Sequence, residues 1–211
     1  MIKVDGINLT LKGREILSDI NLELLPGNIY GLVGNNGSGK TMLMKIICGL
    51  VKPGSGTVTC DGRVIGRDDD YLPDAGVIIE TPGFISYYSG IRNLKLLAGI
   101  RGRIGTAEIR KAMEDVGLDP DLRLPVRKYS LGMRQRLGIA QAIMENPRHL
   151  IFDEPMNGLD KNGVGDTRKL LLEKKEQGAI IILSSHNRED IDILCDHVYE
   201  MEQGHMTEIV S

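Results

Sequence analysis

One short glycine-rich segment constrains the folding of this chain more than any other part of its sequence. Residues 34–41 read Gly-Asn-Asn-Gly-Ser-Gly-Lys-Thr, and they separate an apolar run, residues 29–33, from a stretch of helical character, residues 42–50. The sequence therefore predicts a strand, a glycine-rich loop and a helix in succession. Glycines allow such a loop to turn its backbone N–H groups inward, and the start of the following helix adds its positive dipole end. This arrangement is typical of a site for phosphate groups.

The same eight residues match the Walker A pattern, and they lie between a predicted strand and a predicted helix as that motif requires. Lys40 supplies a full positive charge for the β and γ phosphates of ATP, and Thr41 offers a hydroxyl group to Mg²⁺. The alternative is a glycine-rich turn that merely joins a strand to a helix, but the complete pattern in this context favours the nucleotide site. The predicted nucleotide contacts of this segment are Gly34, Asn35, Asn36, Gly37, Ser38, Gly39, Lys40, Thr41 and Met42.

Two adjacent carboxylates follow a second apolar run. Residues 149–155 read His-Leu-Ile-Phe-Asp-Glu-Pro, which places Asp153 and Glu154 at the C-terminal end of a predicted strand, where open α/β sheets bind their ligands. This pair resembles the Walker B motif, in which Asp153 would hold Mg²⁺ directly or through water and Glu154 would accept a proton from the attacking water. Taken alone, the pair is often only a polar strand end. Beside the glycine-rich loop, the catalytic interpretation is favoured.

The composition indicates a globular protein with one core. The chain has 211 residues, of which 41% are hydrophobic and 26% are charged, as in ordinary soluble domains. A formal net charge of -3 gives no basic field, so we expect no nucleic-acid partner. The three cysteines are scattered, which fits a reduced cytosolic protein. The N-terminus does not resemble a secretory signal, and the apolar runs are far shorter than the ~20 residues that cross a bilayer, so we expect another chain to supply any membrane span.

The order of the predicted elements indicates an α/β protein. Strand-like runs predict antiparallel β-structure in the first part of the chain (residues 7–11, 16–25 and 57–65). Helical periodicity dominates residues 91–146, after which the chain returns to α/β structure. We therefore predict an α/β fold with a phosphate-loop NTPase core, an N-terminal antiparallel β subdomain and an inserted α-helical subdomain. In this division the core comprises residues 1–83 and 147–211, and the helical subdomain comprises about residues 84–146.

Three further motifs narrow the class of phosphate-loop NTPase to which the sequence points. Residues 129–136, Tyr-Ser-Leu-Gly-Met-Arg-Gln-Arg, resemble the signature of ABC (ATP-binding cassette) ATPases and come shortly before the acidic strand, as in that family. Residues 157–160, Asn-Gly-Leu-Asp, resemble the family's D-loop, and residues 184–186, Ser-Ser-His, resemble its H-loop. Five motifs in the family's order cover most of the chain. The resemblance implies a single cassette, residues 1–211, that binds and hydrolyses ATP as the motor subunit of a membrane transporter.

The resemblance also assigns roles outside the two Walker motifs. In the family two cassettes pair head to tail, so that the signature of one closes over the γ phosphate held by the other. The implied contacts to the nucleotide of a second cassette are Ser130, Gly132, Met133 and Asp160. His186 is implied to contact the γ phosphate and to orient Glu154, which makes Lys40, Glu154 and His186 the expected catalytic residues. From the residues alone, Ser130 and Asp160 are also suitable helix N-caps, and both interpretations stay open.

Two positions depart from the family pattern. Where the family usually has glutamine, this chain has Glu80, which can give an oxygen to Mg²⁺ but cannot donate a hydrogen bond as an amide does; the alternative is a surface glutamate at a strand end. The aromatic residue that commonly stacks on adenine is replaced by Leu11, from which we expect apolar contact with the base and loose base selectivity. The expected metal ligands are Thr41, Glu80 and Asp153. Glu80 and the form of the signature look most like bacterial export cassettes, including those that confer immunity to lantibiotic and bacitracin-type peptides.

The family also implies partners. A transmembrane permease would dock near residues 80–88, where Phe84, Tyr87 and Tyr88 form a cluster in a chain with 4% aromatic residues; the alternative is that these side chains only pack the helical subdomain. A second cassette would complete the enzyme as a homodimer or a heterodimer, at the cytoplasmic face of the cell membrane.

Two other functions compete with that of a transport ATPase. One is a soluble ABC protein acting on DNA or ribosomes, but neither long coiled coils between the Walker motifs nor a second cassette is present in the sequence. The other is a regulatory cassette without turnover. The presence of Lys40, Asp153, Glu154 and His186 argues against it.

Overall fold

A computed structural model describes residues 1–209 of the chain. Within these residues ten strands occur: β1 (Ile2–Leu11), β2 (Arg14–Leu24), β3 (Asn28–Val33), β4 (Ser55–Cys60), β5 (Arg63–Val64), β6 (Ala75–Ile78), β7 (His149–Asp153), β8 (Ile180–Ser184), β9 (His197–Glu202) and β10 (His205–Ile209). The helices of the same residues are α1 (Lys40–Ile47), α2 (Gly90–Arg101), α3 (Thr106–Asp115), α4 (Leu131–Ile143), α5 (Lys161–Glu176) and α6 (Arg188–Leu194), with a 3-10 turn at Val126–Lys128. None of the helices in residues 1–209 is both long and apolar enough to cross a bilayer.

The larger of the two sheets brings three distant strand ends together. Its order is β10-β9-β3-β8-β7-β6, and its neighbouring strands are parallel except for the pair β10–β9. Strand β8 is buried along its whole length, which explains its continuous apolar sequence. Leu32 is in register with Ser184, and Ser184 with Asp153. The loops that follow β3, β7 and β8 therefore open at the same edge of the sheet.

The two faces of this sheet enter two cores. In β7, Leu150 and Phe152 pack in one core with helices α2, α3 and α4, whereas Ile151 packs in the other core with α1, β1 and β2. Strand β8 alternates in the same way, because successive side chains of a strand point to opposite faces. Helix α1 and the helical segment therefore lie on opposite sides of the sheet, and the strand ends lie between them.

The smaller sheet is antiparallel and has the order β2-β1-β4-β5. A two-residue turn joins β1 to β2, and both of its residues have positive φ, 50° at Lys12 and 76° at Gly13. This conformation matches the right-handed twist of a hairpin. The antiparallel β-structure predicted for residues 7–11, 16–25 and 57–65 is confirmed, since β1 pairs with β2 and β4 pairs with β5 in this way.

The fold class predicted from the sequence is confirmed, but three strands are additional to the prediction. Strand β6 is an apolar segment of only four residues. Strands β9 and β10 mix apolar with charged residues, so no apolar run marks these two in the sequence. Pairing with neighbours, rather than local propensity, makes these segments strands. The division between core and helical subdomain stays a prediction, and residues 210–211 of the predicted core lie outside the described residues.

Candidate functional site

The glycine-rich loop connects β3 to α1 and packs closely on its neighbours. Gly39, the residue before α1, has a φ of 113°, and a Cβ atom at this position would lie 2.8 Å from Leu17 Cδ2 of β2. Gly34 has a φ of 134°, and a Cβ atom there would collide with the carbonyl oxygen of Met201 in β9. Both positions therefore require glycine for conformation and for space.

Lys40 lies over this loop instead of pointing into solvent. Its side chain is 7% exposed, and its Nζ donates hydrogen bonds to the carbonyl oxygens of Gly34 at 2.6 Å and Asn35 at 3.1 Å. The hydroxyl of Ser38 is buried without a hydrogen-bond partner among residues 1–209. A buried hydroxyl of this kind is rare in native proteins unless a ligand or water contacts it.

A chain of hydrogen bonds links α1 to the ends of β7 and β8. The Thr41 hydroxyl donates to Asp153 Oδ2 at 2.6 Å, and the Ser184 hydroxyl donates to Asp153 Oδ1 at 2.6 Å. Ser184 in turn accepts the backbone N–H of Glu154 at 3.0 Å. The two residues that the sequence proposes as Mg²⁺ ligands, Thr41 and Asp153, are thus in direct contact.

Glu154 and His186 contact each other beside these hydrogen bonds. Glu154 has a φ of 53°, and its Oε1 lies 3.3 Å from His186 Nε2, while its Oε2 lies 3.4 Å from the backbone N–H of His186. His186 Nε2 also lies 3.1 Å from Asn36 Oδ1 of the glycine-rich loop. His186 therefore connects the loop to the carboxylate, and its role at the γ phosphate stays a prediction.

One cleft of about 410 Å³ contains these groups. The loop, Thr41, Asp153, Glu154 and His186 line it together, although they come from distant parts of the sequence. Leu11 does not line this cleft. The residues of β2 that do so are Arg14 and Ile16, and the lining residues in full are Arg14, Ile16, Asn36, Gly37, Ser38, Gly39, Lys40, Thr41, Met42, Asp153, Glu154 and His186.

Glu80 lies at the side of the site rather than in this cleft. It has a φ of 61°, and its Oε1 accepts a hydrogen bond from Lys45 Nζ of α1 at 2.6 Å. It lines an adjoining cleft of about 490 Å³ that also includes Asp153 and Glu154. The positive charge of Lys45 compensates the negative charge that glutamate, in place of glutamine, brings to this position. A metal-binding role for Glu80 stays a prediction.

The residues of the signature and of the D-loop are helix caps within this chain. Ser130 Oγ accepts the Met133 backbone N–H at 3.1 Å, and Asp160 Oδ1 accepts the Gly163 N–H at 3.0 Å. The N-cap interpretation is therefore confirmed for both residues. The pKa of Asp160 is lowered from its usual value, first by the bond from the Gly163 amide and then by the Arg136 guanidinium.

Ser130, Gly132 and Asp160 do not line the cleft that the glycine-rich loop of their own chain forms. The backbone of Gly132 lies against that of Gly158 instead.

The aromatic cluster divides into half-buried and exposed members. Phe84 packs against the core of the helical segment, and Tyr88 lies under the guanidinium of Arg92 at 3.6 Å. Tyr87 contacts Tyr88 edge to face at 4.8 Å but is 68% exposed. Phe84 therefore serves packing, and Tyr87 is the member that is available to a partner.

Two residues of the site have no counterpart in the sequence prediction. Ser184 and Gln135 occur inside the quoted motifs, but nothing in the motifs marks their contacts. Gln135 Nε2 donates to the carbonyl oxygen of Pro155 at 2.9 Å and lies 3.3 Å from that of Glu154. Each contact joins segments that are distant in sequence, so only the assembled sheet and helix α4 create it.

A phosphate-binding loop between a parallel strand and a helix, with an acidic pair on an adjacent strand end, defines a phosphate-loop NTPase. Residues 17–157 match the family model of the ABC transporter, and the chain belongs to the ATP-binding proteins of ABC transporters. It is thus an ATP-binding and ATP-hydrolysing subunit of such a transporter. The sequence expectations on family, fold class and enzyme class are confirmed.

Two of the chain's relatives are a bacitracin and a lantibiotic transport ATP-binding protein. The chain is 43% identical over 212 residues to the bacitracin transport ATP-binding protein BcrA of Enterococcus faecalis, covering 99% of this chain and 69% of that protein. It is 36% identical over 204 residues to the lantibiotic transport ATP-binding protein SrtF of Streptococcus pyogenes, covering 97% and 88% of the two chains. The dimeric structure of the ABC transporter cassette MJ0796 has the same fold, with a TM-score of 0.88 at 20% identity over 100% of both chains.

Proposed function

We propose that this chain hydrolyses ATP in the cleft described above, with Lys40 and the loop amides on the phosphates and Glu154 on the attacking water. The observation that carries the proposal is the position of Lys40, Glu154 and His186 on the walls of one 410 Å³ cleft. Phosphates held by the loop would place the γ phosphate beside Glu154, since the carboxylate and the lysine share that cleft. Hydrolysis in such a site is phosphoryl transfer to water.

The residues present fit a magnesium ion. Mg²⁺ prefers oxygen ligands and usually takes one or two protein groups together with phosphate oxygens and water. The Thr41 hydroxyl and the Asp153 carboxylate are 2.6 Å apart, and within residues 1–209 no group of three or more His, Cys, Asp or Glu side chains forms a complete metal site. Thr41 and Asp153 would hold the ion, which would neutralise phosphate charge. Glu80 would need to leave Lys45 to join them.

Glu154 is the proposed proton acceptor. Its Oε1 is buried and has no hydrogen-bond donor in residues 1–209, although His186 Nε2 lies 3.3 Å away. A carboxylate oxygen in this condition can accept the proton of a water molecule. His186, held between Glu154 and Asn36, would orient both the carboxylate and the phosphate end of the nucleotide.

The substitution Glu154→Gln tests this mechanism. We expect phosphate release to fall by about 10²- to 10⁴-fold while ATP binding is kept, because the amide preserves shape but cannot take a proton. Phosphate release and nucleotide binding would be measured on the same preparation. Glu145→Gln is a matched control, since Glu145 pairs with Arg101 away from the cleft. Undiminished turnover in Glu154→Gln would remove Glu154 from the mechanism.

A second cassette would complete the site. Ser130, Gly132, Met133 and Asp160 lie outside the cleft of their own chain, and the amides at the start of α4 can bind an anion. We therefore assign these residues to the nucleotide of a partner cassette, either a second copy or a related chain. The dimeric state of the MJ0796 cassette supports this. ATP-dependent dimerisation of the Glu154→Gln protein in light scattering would distinguish a homodimer from a chain that needs a different partner.

The transporter context implies a permease and a place at the cytoplasmic face of the membrane. The exposed Tyr87 beside α2 provides a contact for such a subunit. BcrA and SrtF are transport ATP-binding proteins for bacitracin and lantibiotic. We therefore propose that the transporter exports a substance of the same class, a peptide antibiotic. Protection of cells from bacitracin or a lantibiotic upon expression with the cognate permease tests this class.

A further inference from the structure

The cleft contains two lining residues that the proposed hydrolysis does not use. Lys40, Thr41, Asp153, Glu154 and His186 act at the phosphate end of a nucleotide. Arg14 and Ile16 of β2 line the same cleft but have no role in that chemistry. Arg14 also lines an adjoining cavity of about 310 Å³ with the first half of the glycine-rich loop. The base of a nucleotide must lie away from the phosphate end, where these two side chains remain available.

The hairpin geometry explains why Arg14 faces the cleft. Arg14 is in register with Leu11, and cross-strand partners point to the same face of a sheet. Leu11 shares that face with Leu9, because alternate residues of a strand do so. Leu9 is 4% exposed, whereas Leu11 is 39% exposed. The Leu11–Arg14 pair thus continues the core-facing side of the hairpin beyond the end of the core, towards the glycine-rich loop.

A β-bulge adjusts the neighbouring side chain. Leu9 is in register with Leu17 and Thr10 with Glu15, so Ile16 is an extra residue in β2. Bulges commonly redirect a side chain beside a functional site. The backbone oxygen of Ile16 lies 3.0 Å from the position of a Cβ atom on Gly39, so this bulge contacts the loop at the start of α1. Ile16 is half-buried there.

The chemistry of Arg14 suits the face of a base. Arg136 and Arg168 pair with carboxylates, but within residues 1–209 Arg14 is exposed and has no carboxylate partner. A guanidinium is planar and stacks on aromatic rings. We propose that Arg14 stacks on the base of the nucleotide, with Ile16 as its apolar neighbour, in the place where an aromatic residue would otherwise act. This inference rests on the proposed nucleotide site.

Base stacking is tolerant of base identity because every base has a π face. The ligand class that follows is a nucleoside triphosphate, bound with little discrimination between bases such as adenine and guanine. Leu11, the cross-strand partner of Arg14, does not itself line the cleft.

Calorimetric titration of the whole chain with Mg²⁺ and ATP, GTP or inorganic tripolyphosphate tests the inference. We expect Arg14→Ala to weaken ATP and GTP binding by about 3- to 10-fold and to leave tripolyphosphate binding unchanged. Arg14→Tyr should restore nucleotide binding, because a ring can stack without the charge. Lys12→Ala is the matched control, since Lys12 is an exposed cation of the same hairpin that does not line the cleft.

Three results would overturn the inference. Equal weakening of tripolyphosphate and ATP by Arg14→Ala would assign Arg14 to the phosphates. Unchanged nucleotide binding in Arg14→Ala, or failure of Arg14→Tyr to restore it, would remove Arg14 from the base site while the proposed function stands. A wild-type chain that binds neither nucleotide nor tripolyphosphate would instead contradict the proposed function itself.

Discussion

At the scale of single residues, the serine that ends β8 determines the geometry of the acidic pair. Ser184 is fully buried; its hydroxyl donates to Asp153 and accepts the backbone N–H of Glu154. The φ of 53° at Glu154 lies in the left-handed region, which non-glycine residues rarely adopt. The hydrogen bond from the Glu154 N–H to Ser184 offsets part of the free-energy cost of this conformation. The conformation in turn directs the Glu154 carboxylate towards His186.

We predict that Ser184→Ala lowers the kcat for ATP by about tenfold or more, with little change in ATP affinity. The substitution leaves the partly buried N–H of Glu154 without its partner, which costs up to about 1–3 kcal/mol, and the carboxylate loses its fixed position. Steady-state phosphate release gives kcat and KM. Ser185→Ala is the control, because within residues 1–209 the Ser185 hydroxyl bonds Asp190 and Asn187 of the α6 region and not the acidic pair. A normal kcat in Ser184→Ala would show that Glu154 is positioned by other contacts.

Single-residue predictions from the sequence succeed where a motif fixes both residue and neighbour. Lys40 and Thr41 follow the glycines directly, and Asp153 ends an apolar run, so their convergence on one cleft could be predicted. The partner of Glu80 could not be predicted, because Lys45 lies 35 residues away on α1 and meets it only through the packing of α1 beside β6 and β7. The assignment of Leu11 rests on the resemblance to the family, and an alignment of positions does not reveal that Arg14 and Ile16 line the cleft instead.

At the scale of elements, helix α4 is joined to the loop that follows β7. Gln135 donates to the carbonyl oxygen of Pro155, and Arg136 donates to Asp160 at 2.8 Å and to the carbonyl oxygen of Val116 at 2.7 Å. The signature helix, the end of α3 and the start of α5 are therefore connected through two side chains. A displacement of α4 would be transmitted to the loop that carries Glu154.

Tyr87, in the segment before α2, is the residue for which we predict a role in assembly with the permease. We expect Tyr87→Ala to weaken co-purification with the permease by about tenfold, because exposed tyrosines are common interface anchors, and to leave the ATPase activity of the isolated chain unchanged. Tyr71→Ala is the control, since Tyr71 is 61% exposed at a different place in the chain. Intact assembly with Tyr87→Ala, confirmed by equal yields of the complex, would place the permease contact elsewhere.

Elements with a strong local signal agree with the sequence prediction, and elements without one do not. The apolar run that ends at Asp153 and the glycine-flanked run at 29–33 are strands, as predicted. Strand β9 has a mixed sequence and becomes a strand because Tyr30 to Val33 pair with residues 197–200. Such long-range pairing leaves no periodic signal in the segment itself.

At the scale of the whole molecule, a buried histidine connects stability to pH. His149 at the start of β7 is 2% exposed, and its Nδ1 lies 2.8 Å from the carbonyl oxygen of Pro73. Its Nε2 lies 3.9 Å from the Cys60 thiol of the antiparallel sheet. Burial lowers the pKa of His149 below its usual value of 6.5. The neutral imidazole is therefore part of the packing between the two sheets.

We predict that the free energy of unfolding falls as pH is lowered below about 6.5. The unfolded chain binds a proton at this histidine near its usual pKa, whereas the folded chain resists protonation, so stability is complete above that pH and declines by up to about 1.4 kcal/mol per pH unit below it. Urea unfolding at pH 7.5 and 5.5 measures the difference.

His149→Gln should reduce this pH dependence, whatever its effect on stability at pH 7.5. The exposed His205 provides the matched control, and His205→Gln should behave as the wild type. An unchanged difference between the two pH values in His149→Gln would assign the effect to other groups.

The strand order of the larger sheet has a consequence for the chain during its synthesis on the ribosome. Leu32, Asp153 and Ser184 meet at neighbouring strand ends, yet they are translated at very different times. Because β8 inserts between β3 and β7, a nascent chain that has not yet emerged beyond residue 184 holds a phosphate loop without the serine and histidine that complete it. Such an unfinished chain should therefore be unable to consume ATP on the ribosome.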